Sequence, residues 1–590
     1  MDNPALSQTN PAESSHSELV PPASSAVFHV ALLLAVCGAL FLARSASLPL
    51  MDPDEARCAI IVRNMLRDGD WIVPHLEGKV YFDKPAPFFW LAAIARHFTG
   101  NVELAGRLVA ALAALGAVLA AWALGRRMFG PVSGLLAGFF LATMGEFLFM
   151  ARWYRMDMPF VAAMWAAFWW FWRQERPPQE SQEKASGSQW IGFYAFCGVS
   201  TLFKGPAGLV LPALAIAAYF MLSGRPRRIL EFFNPLGILV YLLIAAPWYV
   251  LIILRESNYV HEFFYNQNIE RFLHPVGSHG LSGFIYIPVL LGGVMPWTIY
   301  LVGAVVRYFP RRWKNRNSCP EALFLWCAAL VPFVFFSLSK TKLLGYILPV
   351  MPPLAVLIGG LLGRWAQSVE PDRLLKALGR AMMVLLPLVM AVLILGVDIY
   401  LQVFDVWSVL ALAGALLISW RMIAQFLRDR RAGFLTWMLA GGVGIYLYFI
   451  LHSFPAAYEM MSTKMLARLV NPALRESAKF LNWRHGKLSF EYYADIPEGN
   501  GINTSKPGAL ERIAALMASD RPVYCFISDN ESLREMQKAC AGHLYILGQS
   551  GARGFENSRR YLVANRPAEE MDGLGGGLAP IRPPSNPSNR

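Results

Sequence analysis

The sequence predicts a polytopic α-helical membrane protein that carries a small α/β domain at its C-terminal end. Three observations predict it. Charged residues make up 16% of the 590 positions, against about 25% in an ordinary soluble chain. Apolar runs of about 17–25 residues, the length that crosses a bilayer as a helix, recur along most of the chain. Those runs stop near residue 451, and the remainder has the composition of a soluble domain.

The elements follow in order. Residues 1–26 are polar and rich in Ser and Pro, and read as a disordered cytoplasmic segment with no cleavable signal. Val27 to Ala43 then forms a first, uncleaved span. A membrane domain over 27–451 holds about thirteen spans, each near bilayer length. Their limits are 27–43, 103–124, 131–150, 157–172, 190–203, 205–222, 234–254, 282–306, 321–338, 343–363, 379–397, 405–424 and 432–451. Residues 55–67 and 86–99 are too short and too amphipathic to span, and predict helices lying along the membrane surface.

The loops alternate in character. GRRMFG (125–130), SGRPRRI (223–229), RYFPRRWKNR (307–316) and RMIAQFLRDRR (421–431) are basic, which places them in the cytoplasm. The other loops mix charge, aromatics and Pro: 44–102, ARWYRMDMP (151–159), the FKGP turn (203–206), 255–281 and SLSKTKLLGY (337–346). They belong on the opposite face, the periplasm of a bacterium. An odd number of spans puts the N-terminus inside and the tail outside. Within the tail, an α/β domain over 452–570, LSFEYY (488–493), VYCFIS (523–528) and LYILGQ (544–549) have strand composition. Residues 508–519 and 530–540 between them have helical composition. Residues 571–590, rich in Gly, Pro, Ser and Asn, read as disordered.

Composition also excludes some functions. The net charge of +13 follows from bases in short loops, the positive-inside pattern, so no nucleic-acid partner is expected. The seven Cys show no CxxC or Cys/His spacing. Cys37, Cys197 and Cys327 fall in apolar runs and read as packing residues. Cys525 and Cys540 can pair only if the tail lies outside the cytoplasm. No P-loop, GxGxxG or HExxH motif is present.

Candidate chemistry concentrates in the mixed-charge loops. The stretch MDPDEARCAIIVRNMLRDGDWIVPHLEGKVYFDKPAPFFW (51–90) is the densest, and charge at a membrane boundary needs a reason. Asp54, Arg57, Asp83 and Lys84 lie there. Arg152, Arg155 and Asp157 follow in the second loop, then Lys204, then Glu270 and Arg271, then Lys340, Lys342 and Tyr346. Carboxylates and cations at headgroup depth suit the transfer of a sugar held on a lipid phosphate. The cations neutralise the phosphate, and a carboxylate accepts a proton or steadies the anomeric centre. Each residue also has a plainer reading. Asp54 and Asp157 stand at helix starts and can act as caps. Lys84 can snorkel, Arg152 and Arg155 can anchor headgroups, and Tyr346 can belong to an aromatic belt. Glu146, inside an apolar run, needs a partner or water.

The motif DEARCAIIVRNMLRDGDWIVPHLEGKVYFDKPAPFFWLAA resembles the first outer loop of the aminoarabinose lipid A transferases. That family belongs to the GT-C superfamily, which also holds the protein O-mannosyltransferases. The resemblance continues through ARWYRMDMP, KGP, APWYVLIILRESNYVHEFFYNQNIERF and KTKLLGYILPVMPPLA, and covers roughly residues 27–365. It implies a GT-C fold and Asp54 as the principal catalytic acid, with Asp157 as the second. It implies that Lys84, Arg271 and Tyr346 hold the carrier-lipid phosphate, with Arg57 beside the same cavity. Two positions depart from the family. Its common EKP triplet is DKP here, with Asp83, and Asn268 stands where close relatives have a His. Both positions are associated with a metal in the aminoarabinose branch, so no metal and no cofactor is expected here.

The implied function is inverting transfer of a sugar from undecaprenyl phosphate, at the periplasmic face of the bacterial inner membrane. The acceptor would be lipid A, another lipopolysaccharide component or another envelope glycan, with membrane lipids as the remaining partners. The same chemistry on protein is the first alternative. A lipid or sugar transporter is the second, but it predicts ionisable groups near the bilayer midplane rather than at one face.

Overall fold

The computed structural model describes residues 23–175, 187–274, 283–309, 317–483, 488–497, 501–502, 508–540, 542–550 and 559–573. The predicted disorder at the two ends falls mostly outside these residues. Where the ends are described they are ordered. The first helix already starts at Ala23, and residues 571–573 close the helix Ala568–Gly573.

Each apolar run read from the sequence is helical. Among the described residues, eight helices are long and apolar enough to cross a membrane by length and composition, or ten if two bent pairs count as one span each. The bent pairs are Pro131–Ala142 with Gly145–Ala151, at 68°, and Tyr286–Gly293 with Thr298–Tyr308, at 107°. Pro296, which has no N–H to give a helix, sits in the second break. At the first break, the Thr143 hydroxyl donates to Phe139 O at 2.6 Å and accepts from Trp297 Nε1 at 2.9 Å. The backbone there is therefore satisfied inside the bundle, as a break at membrane depth requires. Glu146 follows the break, and its carboxylate oxygens are buried without a hydrogen-bond partner. Gly293 makes room for it, since a Cβ there would lie 2.6 Å from Glu146 Oε2.

Three further helices, Asp157–Gln174, Gly187–Lys204 and Ala207–Leu222, lie outside the eight to ten. Asp157–Gln174 is rich in Trp and Phe and mostly buried against its neighbours. Its packing comes from aromatic area rather than from uniform hydropathy.

The first long loop is built from two short helices, Asp54–Asp68 and Pro87–Thr99, joined by a small hairpin, His75–Leu76 with Lys79–Val80. A buried ion pair fixes it to the bundle. Arg107 donates to Glu55 Oε1 at 2.8 Å and Oε2 at 2.5 Å, and also to the carbonyls of Ser45, Leu48 and Pro49. Glu55 accepts the backbone N–H groups of Met51 and Tyr154 as well. Every charge in this pair is thus hydrogen-bonded, which is what makes burying it tolerable.

The C-terminal part forms a five-stranded mixed sheet in the order Gly501–Ile502, Lys479–Trp483, Val523–Ile527, Arg560–Ala564, Tyr545–Ser550. The first three strands are parallel and the last two pairings antiparallel. Apolar clusters cover both faces of the sheet. The strands predicted at 523–528 and 544–549 and the helices predicted at 508–519 and 530–540 are present. The strand predicted at 488–493 is not: Leu488–Ala494 is a helix. Its buried residues Phe490 and Ala494 are one turn apart, and its Ser489 and Tyr493 face the first loop. The tertiary partner selects period 3.6 over the β propensity of Phe and Tyr. Cys525 and Cys540 are both buried and free.

Candidate active site

A cavity of about 340 Å³ opens where the mixed-charge loops meet. The first loop contributes Asp54, Arg57, Cys58, Tyr81, Asp83 and Lys84 to its wall, the second Arg155, and more distant segments Lys204, Arg271 and Tyr346. Five of the six residues singled out from the sequence line it. The sixth, Asp157, is 3% exposed and lies directly behind the wall.

The two acids share one guanidinium. Arg155 Nη1 lies 3.0 Å from Asp54 Oδ2, and Arg155 Nε lies 3.0 Å from Asp157 Oδ2. Asp157 is also paired with Lys204 at 2.5 Å, and Asp54 with Arg57 at 3.4 Å. Neither acid caps its helix through its side chain: Pro53 and Met156 hold the cap positions, with no side-chain cap bond at either. The capping alternative is thereby excluded for both. The reason is electrostatic, because a fixed guanidinium binds a carboxylate more strongly than a backbone N–H does.

The other wall is assembled by backbone pairing. Lys340 N donates to Phe272 O and Thr341 N to Arg271 O, which lays the segment before Tyr346 beside Arg271. Arg271 faces Asp83 at 3.8 Å, and Lys204 Nζ lies 4.9 Å from the centre of the Tyr346 ring. Lys84, Lys204 and Arg271 thus converge with few acids between them. Burial lowers the Lys84 ammonium to about 8; Asp83 opposes that shift, while Lys204 and Arg271 add to it. Arg155 is held above the usual guanidinium value: burial opposes its charge, but Asp157 and Asp54 outweigh burial.

A solved structure shares this architecture. A crystal structure of ArnT from Cupriavidus metallidurans bound to undecaprenyl phosphate superimposes with a TM-score of 0.72 at 22% identity, covering 95% of this chain and 100% of that one. The chain has the ArnT-like GT-C fold.

The sequence comparisons agree with it over a shorter stretch. The undecaprenyl phosphate-alpha-4-amino-4-deoxy-L-arabinose arabinosyl transferase of Edwardsiella ictaluri is 34% identical over 316 residues, 53% of this chain and 56% of that protein. The transferase of the same name from Aeromonas salmonicida is 34% identical over 313 residues, 52% of this chain and 55% of that protein. The match therefore spans little more than half the length of these relatives. Residues 83–251 also match the dolichyl-phosphate-mannose-protein mannosyltransferase family. Like ArnT, the chain is a multi-pass membrane protein.

Within this ArnT-like fold the remaining candidates sort by geometry. Arg152 is no headgroup anchor: it is buried and donates to Leu40 O and Ala43 O at 2.7 Å each, tying the second loop to the first span. Lys84 and Tyr346 face the cavity rather than a lipid belt. Among the described residues no group of three or more His, Cys, Asp or Glu is placed to hold a metal. Asp83 is turned to Arg271, Asn268 donates to Phe263 O, His261 stacks on Tyr265, and His274 pairs with Glu270.

Arg155 and Lys204 are central to the site, yet in the sequence they were only two among many loop charges. Both stand beside residues that were singled out, Arg155 two positions before Asp157 and Lys204 in the KGP turn. Nothing local shows that both reach one carboxylate, one from a turn and the other from the end of a helix.

Proposed function

We propose that this protein is an inverting glycosyltransferase that moves a sugar from undecaprenyl phosphate to lipid A, another lipopolysaccharide component or another envelope acceptor. The observation that carries the reading is the cavity itself. Asp54 and Arg155, with Asp157 behind them, form one side, and Lys84, Arg271 and Tyr346 form the other. The relatives, undecaprenyl phosphate-alpha-4-amino-4-deoxy-L-arabinose arabinosyl transferases by name, support the donor class.

In this reading Lys84 and Arg271 bind the donor phosphate and neutralise it as it departs, with the Tyr346 hydroxyl beside them. Asp54, partly open to the cavity, orients the acceptor. A phosphate acceptor is already nucleophilic, so Asp54 then steadies developing positive charge; a hydroxyl acceptor gives up its proton to Asp54. Asp157 is buried and doubly paired, and its role is to hold Arg155 and Lys204 in place. Arg57 sets the second oxygen of Asp54. The membrane domain (27–451) does this chemistry at the periplasmic face of the inner membrane. The N-terminus (1–26) is cytoplasmic, the α/β domain (452–570) periplasmic, and 571–590 a tail.

Protein as acceptor is the second reading, and the match of residues 83–251 to the protein mannosyltransferase family favours it. Mass spectrometry of envelope lipids, glycans and proteins from a deletion strain beside its complemented parent separates the two. A sugar increment lost from a lipid or glycan supports the first reading, and one lost from proteins alone supports the second. No lost increment in any fraction counts against both.

A further inference from the structure

Asp54 opens a helix whose next residue, Glu55, is locked to Arg107 in the bundle. The residues just before Asp54 are held by a different part of the molecule. Ser489, in the C-terminal domain, donates its backbone N–H to Asp52 Oδ1 at 2.8 Å and its hydroxyl to Asp52 Oδ2. One turn later on the same tail helix, the Tyr493 hydroxyl accepts from Leu50 N at 2.7 Å and donates to Glu103 Oε1 at 3.0 Å. Lys464, also in the tail, pairs with Glu103 at 2.6 Å. Ser489 is fully buried, so its grip on the carboxylate does not compete with water.

None of these tail residues lines the cavity. Their direct link to the residues that lead into the Asp54 helix is through Leu50 and Asp52, beside the contacts that hold Glu103. A two-point grip on Asp52 fixes the direction in which the chain enters the helix, and so where the Asp54 carboxylate stands relative to Arg155. The cations of the donor site sit on other segments. Thr341 pairs with Arg271 through the backbone, and the tail makes no contact with either Lys84 or Arg271 among the bonds described.

We propose that Ser489 is a positioning residue for Asp54, acting through Asp52, so that the C-terminal domain sets the geometry of the acceptor side of the site. This rests on the transferase reading above. A displacement of about 1 Å in a reacting group can cost on the order of 10²-fold in rate. The affected quantity is turnover, because donor binding is made elsewhere.

The test uses the full-length protein in liposomes. Wild type, Ser489→Ala, Tyr493→Phe, Asp54→Asn, Asp54→Glu and the Ser489→Ala/Asp54→Glu double variant are compared for kcat, donor KM, undecaprenyl phosphate binding and Tm. The expected result is a fall in kcat of roughly ten- to a hundredfold for Ser489→Ala, with donor KM and undecaprenyl phosphate binding retained. Tyr493→Phe, which also loosens residue 50, falls in the same direction and stands in if Ser489→Ala folds poorly. Against Asp54→Glu, where the carboxylate is already displaced, Ser489→Ala costs much less, since groups acting through one another are not additive. Full kcat in both tail variants overturns the proposal. So does a loss that multiplies undiminished in the double variant, or one matched by equal loss of donor binding, the mark of a general structural defect. Inactive wild type, or an Asp54→Asn variant as fast as wild type, would instead defeat the transferase reading itself.

Discussion

The Arg155 guanidinium stands between Asp54 and Asp157, 3.0 Å from an oxygen of each. Two carboxylates from different loops are thereby bridged by one cation. Asp157 has a second cation in Lys204, whereas Asp54 is more open, with its side chain 22% exposed. In the proposed reading this asymmetry divides their work: the buried acid supports the frame, and the open one meets substrate.

Asp54→Asn is expected to abolish transfer while the protein still inserts and folds. The amide keeps the volume, but can neither accept a proton nor balance Arg155. Losing a basic or charge-stabilising group costs about 10²-fold or more in rate. Turnover of the purified variant in liposomes checks this, and near-wild-type activity would refute the assignment.

Lys84→Ala and Arg271→Ala are expected to weaken use of the donor, each by roughly 1.5–3 kcal/mol, the worth of a hydrogen bond to a charged group. The rate should need more donor to saturate in both. An unchanged dependence on donor concentration in both variants would argue against a shared phosphate site.

The depressed Lys84 value gives a pH signature. Its ammonium titrates near 8 in the folded protein instead of 10.5. Below about 8 it is charged and can hold phosphate; above, it is neutral. Donor kcat/KM, which reports the free enzyme, is expected to fall as pH rises through about 8. The stability contribution runs the other way. From about 8 to 10.5 the unfolded chain holds a proton that the folded one does not, so this residue's penalty on folding is relieved as pH rises. Lys84→Arg, charged throughout, should flatten the fall in kcat/KM. A wild-type profile with no break between pH 7 and 9 would contradict the shift.

The C-terminal domain is expected in the periplasm, from basic loops on the opposite face. A C-terminal alkaline phosphatase fusion should be active and a green fluorescent protein fusion dark. The reverse pattern would invert the orientation and remove the candidate loops from the periplasmic face.

Activity is expected to survive prolonged chelation. In the proposed reading Lys84 and Arg271 take the electrostatic role that a metal plays in phosphate chemistry, and Asp83 is turned to Arg271. Turnover with elemental analysis of the same sample checks this. Loss of activity restored by one divalent metal would show the expectation wrong.

Some of this protein was readable along the chain. Hydropathy is a local property, so the apolar helices, the two helices of the first loop and the change of composition in the tail followed from runs of residues and their period. The motif around Asp54 and Lys84 carried the resemblance to a family, and through it the residues to watch. Other features needed the folded molecule. Arg155 and Lys204 became central only when two segments met at Asp157. Asp54 and Asp157 stopped being candidate caps only when cations took their oxygens. Leu488–Ala494 has strand composition, yet it is a helix: its sequence neighbours Ser489 and Phe490 are both buried, and a strand would point them to opposite faces. Local energies choose an element when packing is indifferent. Where buried charges and a distant docking surface must be satisfied, contacts between residues hundreds of positions apart outweigh propensities worth about a kcal/mol or less, and only the tertiary structure decides.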